Sequence, residues 1–337
     1  MTMTKKENQM AMYSHGIIDH MPAPMEGETC LFPVLGYNEN PCVRSGKDWF
    51  GCEWQYEEKA HATAPAVTKH HVLEDISDWR EVVTFPDLDT WDWQRAIQVD
   101  HVADVDRENT MYNAVILIGM FERLHCLMGF ENALISLMED PDEVADFFDA
   151  MVDFKIKLID KIAEYYRPDM ITFHDDWGTQ KGPFFSPALW RELIKPRMKK
   201  IIDHTHNKGI IFLMHSCGKY DQLIPDIVDL GVDTLQCMDI MDIGRILEIA
   251  AGRMTVQASV HTQDFEARNG AGILTPEIVR ETVSKEFHEW GRSGYYFPCI
   301  FAPSNWYEEI VLDEYLKVSG EYAGTYRKQD RENAFRR

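Results

Sequence analysis

His215-Ser216-Cys217-Gly218 is the stretch whose residue types and spacing are best suited to chemistry. In extended chain, residues i and i+2 point to the same side, so this imidazole and thiol converge on one ion. Zinc takes thiolate sulfur at about 2.3 Å and imidazole nitrogen at about 2.0 Å. Gly218 lets the chain turn sharply straight afterwards. Two ligands do not complete a site. Cys299, in Tyr296-Phe297-Pro298-Cys299, is the candidate for a third. Three protein ligands and one exchangeable position make a catalytic zinc rather than a structural one. Asp239 is a candidate fourth ligand, displaced when substrate arrives, or else the cap of a helix starting near Ile240. The bland alternative is a satisfied core histidine with two packed thiols. Pattern alone leaves both readings open.

A second group is His174-Asp175-Asp176-Trp177-Gly178. One of its carboxylates can orient a ligand or accept a proton, leaving the other as a cap or salt-bridge partner. Cys237 alternates with Asp239 and reads as core. Most of the nine tryptophans read as packing, while Trp49, Trp54, Trp177 and Trp306 have flat faces suited to a planar cofactor or aromatic substrate.

These residues need elements to position them. Apolar runs of strand length occur at 113–119, 169–173, 209–214, 234–238, 254–258 and 294–297. Helical segments with good start signals lie between them. Asp140-Pro141-Asp142-Glu143 reads as an N-cap, a proline at the first helical position and a capping-box glutamate. Ser186-Pro187 and Thr275-Pro276 repeat the cap-then-proline device. Val144, Phe147, Phe148, Met151 and Phe154 form one helical stripe, and Pro196 should kink the helix that follows Pro187. Asn269-Gly270-Ala271-Gly272 follows no strand and reads as a loop rather than a phosphate cradle.

Strands alternating with helices imply parallel βαβ units. The expected fold is therefore α/β, a (β/α)8 TIM barrel with an N-terminal extension, with a doubly wound open sheet as the competing architecture. Residues 1–110 are expected to hold the extension and early barrel elements. They begin with a Met-rich amphipathic leader over 1–30, ended by Pro22 and Pro24, and continue as an aromatic-rich stretch of short wrapped elements or a lid. Residues 111–325 hold the regular units of a single barrel domain, and 326–337 a polar tail. In a barrel the strand ends carry the active site, and His174, Asp175, Asp176, His215, Cys217, Asp239 and Cys299 all fall at or just past such ends.

Composition narrows the partners. The 337 residues carry a formal charge of −22, which disfavours nucleic acid and large polyanions. No run of about 18 apolar residues exists, and the first twenty residues do not read as a signal peptide. The seven cysteines are odd in number and irregularly spaced, so reduced thiols in the cytoplasm are expected.

Taken together, the chain resembles the uroporphyrinogen decarboxylase superfamily over roughly residues 50–320. The resemblance is carried by a Gly129-containing segment before the Asp140-Pro141 helix, by His174-Asp175-Asp176-Trp177-Gly178, and by Ser186-Pro187. His215-x-Cys217-Gly218 and Leu230-Gly231-Val232-Asp233 complete it. Decarboxylases of that family hold tetrapyrrole carboxylates with an arginine-rich N-terminal segment, whereas here Arg44 is the only arginine before Arg80. The zinc methyltransferase branch is the better likeness. It is similar to methylcobalamin:coenzyme M methyltransferases and to corrinoid-dependent O-demethylase methyltransferases. That branch binds zinc through His-x-Cys and a distant Cys, which His215, Cys217 and Cys299 match, with Asp239 at the extra acidic ligand position.

The resemblance implies methyl transfer between a small substrate and a corrinoid (cobalamin) carried by a partner protein. The substrate would be either a thiol acceptor or a donor such as a methoxylated aromatic. Asp176, Asp175 and His174 would be the catalytic group. A uroporphyrinogen-type decarboxylase and a non-catalytic corrinoid-binding barrel are the alternatives.

Overall fold

The computed structural model describes residues 3–23, 26–33, 39–41, 44–58, 62–68, 70–258, 261–299 and 305–321. The tail at 326–337 lies outside the described residues. Among the described residues ten strands occur in chain order: β1 Glu28–Leu31, β2 Gly46–Lys47, β3 Glu53–Glu57, β4 Ala62–Pro65, β5 Met111–Ile116, β6 Met170–His174, β7 Ile211–His215, β8 Thr234–Cys237, β9 Thr255–Ala258 and β10 Tyr296–Pro298. Seven of them form one parallel sheet in the order β1-β5-β6-β7-β8-β9-β10, with helices in the crossovers. The other three make a small antiparallel sheet. The expected α/β strand–helix alternation is therefore present. Among the described residues the parallel sheet has seven strands rather than eight, and no pairing joins β10 to β1.

The two faces of the curled sheet follow from the period-two alternation of strand side chains. Tyr112, Ala114, Ile116, Ile171, Phe173, Phe212, Met214, Leu235 and Val256 pack into the main core beneath the helices. Met111, Met170, Leu213 and Phe297, on the other face, meet Met12 and Tyr13 in a second cluster. Met12 and Tyr13 come from the helix Lys5–Tyr13, whose Thr4–Glu7 capping box satisfies its first turn. The leader expected over 1–30 is thus a helix over the strand beginnings, and β1 falls inside the same span.

The helix Pro141–Tyr165 buries Val144, Phe147, Phe148, Met151 and Phe154. Each such side chain contributes roughly 1.5–3 kcal/mol. The start of this helix departs from expectation. Asp140 makes no side-chain cap bond, and Glu143 pairs with Arg80 at 2.6 Å instead of closing a capping box. Ser186 and Thr275 do cap, accepting from the Leu189 and Ile278 amides. Pro196 sits in the first turn of a separate helix, Lys195–Asn207, so the chain breaks at Ile194 rather than kinking. Asn269 and Gly270 end the helix Thr262–Gly270, so this stretch is a helix end rather than a loop.

The aromatic-rich segment is wrapped against the helix Pro141–Tyr165. Trp49 and Phe50 pack edge-on to Phe154, Trp79 does so against Phe147, and Trp93 stacks on Tyr165. Its polar anchor is Asp48. That carboxylate accepts from the Phe50 and Cys52 amides, from Trp54 Nε1, and from Arg123 at 2.5 Å.

The six described cysteines are thiols, and Cys42 lies outside the described residues. No described helix is long and apolar enough to cross a membrane.

Candidate metal centre

β6 and β7 run side by side with His174 opposite His215. Their rings stack with centroids 4.3 Å apart and planes 11° from parallel. His215 Nδ1 lies 2.5 Å from Gln236 Oε1. An amide oxygen only accepts, so Nδ1 carries the proton and Nε2 keeps its lone pair. That Nε2 lies 3.3 Å from Cys217 Sγ. Gln236 is oriented in turn, because its Nε2 donates to Gln257 Oε1 at 2.7 Å and to Cys299 Sγ at 3.3 Å.

On the other side, His174 Nδ1 lies 2.7 Å from Glu122 Oε2, and His174 Nε2 lies 3.7 Å from Asp176 Oδ1. Asp176 Oδ1 also accepts from the Cys217 amide at 2.6 Å. His174, Asp176, His215 and Cys217 each offer one ligand atom, all within 4.8 Å of one another. Bonds of about 2.0–2.3 Å put tetrahedral zinc ligands roughly 3.3–3.8 Å apart. The donor set, two imidazoles, a thiol and a carboxylate, suits that ion, and a small contraction would enclose it.

The electrostatics follow from burial and neighbours. Burial drives His215 down to about 4, and the facing His174 adds to it. Burial would lower His174 too, but the Glu122 carboxylate, Cys217 and Asp176 together more than offset this and hold it well above the usual imidazole value. Glu122 is itself raised, chiefly by burial. Burial raises the Cys217 thiol, and burial with the nearby Glu28 charge pushes Cys299 up to about 12.

The two neighbouring aspartates have different jobs. Asp175 is fully buried, and its oxygens accept from the Phe121 and Glu122 amides and from Trp177 Nε1. It caps the helix Met120–Met128 and so fixes Glu122. Burial raises its carboxyl to about 7. Asp176 is the one at the histidines.

Two loops carry these residues, and glycines let them touch. Gly218 has φ +85°, and a Cβ there would lie 2.1 Å from the Gly178 carbonyl. We expect Gly218→Ala to cost about 1–2 kcal/mol from its left-handed backbone alone, with the clash adding to it. A thermal melt within about 1 °C of the parent would contradict this.

Of the residues singled out from sequence, His174, Asp176, His215 and Cys217 come together. Cys299 reaches the group through Gln236 but is outside the four. Asp239 is outside them too, and it does not cap a helix: the helix Ile243–Ala250 starts later and is capped by Asp242, which accepts from the Arg245 amide. Cys237 is buried in the main core, as expected. Trp54 and Trp177 are buried packing residues, donating to Asp48 and Asp175. Trp49 packs on Trp91, and Trp306 donates to Asn269.

Sequence reasoning places Glu122 past the end of a strand without giving it a role, and it misses Gln236. A signal existed for the second: Gln236 is a polar residue between Leu235 and Cys237 in a strand, hence on the opposite face from the core. Because Gln236 fixes the His215 tautomer, Gln236→Leu should weaken zinc affinity about 10–100-fold. Competition with a chromogenic chelator measures it, and an unchanged affinity would refute the role.

Residues 47–266 match the family model described as uroporphyrinogen decarboxylase (URO-D). No curated protein sequence matches the chain. Among solved structures, a methyltransferase from Methanosarcina mazei superposes with a TM-score of 0.67 at 15% identity, covering 95% of this chain and 99% of that one. An N-acetyl-D-glucosamine-6-phosphate deacetylase from Mycobacterium smegmatis aligns at a TM-score of 0.27 and 13% identity, over 60% of this chain and 55% of that one.

Proposed function

The chain belongs to the uroporphyrinogen decarboxylase (URO-D) family, and from that premise we propose that it is a zinc-dependent methyltransferase. It moves a methyl group between a small substrate and a corrinoid on a partner protein. The observation that carries this reading is the pairing of His215 Nε2 with Cys217 Sγ at 3.3 Å, with Gln236 holding the other imidazole nitrogen. A nitrogen–sulfur pair with its tautomer preset is a site for a borderline-soft ion. The whole-chain likeness to the Methanosarcina mazei methyltransferase supports the fold that such a site needs.

In this reading His215 and Cys217 hold the ion, and Cys299 supplies the third protein ligand. Its thiol already lies on the Gln236 amide that orients His215. Bound zinc would supply Lewis acidity, polarising an ether oxygen or lowering the pKa of a thiol. The chain's own groups do the rest. Asp176 accepts the Cys217 amide and so sets the direction of the thiol. Glu122 accepts the Nδ1 proton of His174 and so leaves its Nε2 facing Asp176 at the site. Asp175 acts indirectly, by fixing the helix that carries Glu122.

The test is a metal assay coupled to cobalamin spectroscopy. Protein carrying one zinc should convert cob(I)alamin to methylcob(III)alamin with a methyl ether donor, or the reverse with a thiol acceptor. Full activity in metal-free protein would end this reading.

A further inference from the structure

His174, His215, Gln236 and Gln257 stand directly opposite one another across β6, β7, β8 and β9. The residue before each, Phe173, Met214, Leu235 or Val256, packs into the main core. Alternation along the strands therefore turns all four polar side chains to the other face, into the barrel. Strand register has laid two imidazoles and two amides in one row. Both imidazoles belong to the metal centre, whereas Gln257, at the far end, is buried and offers it no ligand atom.

The amide between them is fully engaged. Gln236 Oε1 faces His215 Nδ1, and the hydrogens on Gln236 Nε2 go to Gln257 Oε1 at 2.7 Å and Cys299 Sγ at 3.3 Å. Sulfur is the weaker acceptor of the two, so Gln257 decides which end of the Gln236 amide faces the histidine. Turning that amide over would set its NH2 against His215 Nδ1, which would then have to accept. The ring proton would move to Nε2, the nitrogen that lies 3.3 Å from Cys217 Sγ. A protonated imidazole nitrogen has no lone pair for a metal. The turned amide would also set oxygen against oxygen across the 2.7 Å contact with Gln257.

We propose that Gln257 is a positioning residue for the metal centre: its carbonyl oxygen holds the Gln236 amide one way round, which keeps the His215 proton on Nδ1 and frees Nε2 for the ion. Gln257 acts through Gln236 and not on the ion itself. The ion's identity rests on the zinc reading above; the placement of the ring proton does not. Partners that hydrogen-bond a ligand directly are worth about 10–100-fold in metal affinity. Gln257 stands one step further out and shares the Gln236 amide with Cys299, so its removal should cost about tenfold, the low end of that range.

The experiment uses the full-length chain with isotope-labelled histidine, its ring nitrogens read by long-range nitrogen–proton NMR. Loss of signals in His215→Asn identifies that ring among the 13 histidines. The metal-free parent at neutral pH should carry the His215 proton on Nδ1. Gln257→Met, of similar length but without the oxygen, should show a mixture of the two tautomers and bind zinc about tenfold more weakly by chelator competition. Gln257→Leu repeats the test with a shorter side chain. Gln257→Glu keeps an oxygen there, and a carboxylate only accepts, so it should match the parent tautomer and bind zinc at least as tightly. The double variant Gln236→Leu/Gln257→Met should bind zinc within about twofold of Gln236→Leu alone, since the two residues act as one unit. A residue that merely braced the strand would add its own loss. Parent-like affinity and tautomer in Gln257→Met, or a further tenfold loss in the double variant, overturns the inference. If the tautomer follows Gln257 while the parent holds no zinc, the positioning role stands and the zinc reading falls.

Discussion

Cys217→Ala is expected to empty the protein of zinc and abolish methyl transfer while leaving the fold intact. What the substitution removes is one thiol. The Cys217 amide still donates to Asp176, and the Gly218–Gly178 contact is backbone. Cys217 is half-buried, so alanine leaves no large cavity. The metal, by contrast, loses its strongest donor. Structural zinc in small peptides binds with about 10–16 kcal/mol in all, so one ligand in three or four is worth several kcal/mol. That corresponds to a thousandfold or more in affinity. Metal analysis after dialysis and a thermal melt give the two readouts. Near-stoichiometric zinc in the variant would mean that His174, Asp176 and His215 hold the ion without the thiol. Cys299→Ala run in parallel decides whether the third thiolate belongs to the set.

Asp48→Ala should be the most destabilising single change outside the centre, at roughly 3–5 kcal/mol. Asp48 and Arg123 have no exposed side-chain surface, and their ion pair spans 2.5 Å. The guanidinium also lies over the Phe50 ring, 4.4 Å from its centroid. Removing the carboxylate strands a charge in an apolar surrounding and leaves the Phe50 and Cys52 amides and the Trp54 indole N–H without their acceptor. A domain is stable by only about 5–15 kcal/mol, so the loss is a large share. Asp48→Asn keeps an acceptor and should fall between the two. Urea unfolding gives the numbers, and a shift below about 1 kcal/mol for alanine would show that the pair is not desolvated. Because Arg123 neighbours Glu122, metal affinity should also fall.

The described parallel strands from β5 onward start or end within three residues of the apolar runs read from sequence. The reason is local: strands buried on both sides must be apolar throughout, and turns bounded by Gly, Pro and capping residues mark their limits. The helix Pro141–Tyr165 was legible for the same reason, its stripe being a property of a 3.6-residue period. Asp140 shows where such reasoning fails. The cap-proline-glutamate order was present, but Arg80, distant in sequence, took Glu143.

The chain itself determined that imidazole, thiol and carboxylate stand at the ends of neighbouring strands, because alternation along a strand and the order of βα units are written in adjacent residues. Which of Asp175 and Asp176 faces the histidines was decided only by folding, since a helix start 53 residues away claims Asp175 through its amides. Folding also brought Glu122 to His174 and Gln236 to His215, and it turned Trp54 and Trp177 into packing. Those outcomes depend on contacts between segments remote along the chain. The energy of a buried polar group is set by whichever partner lies within about 3 Å of it, and sequence spacing does not carry that distance.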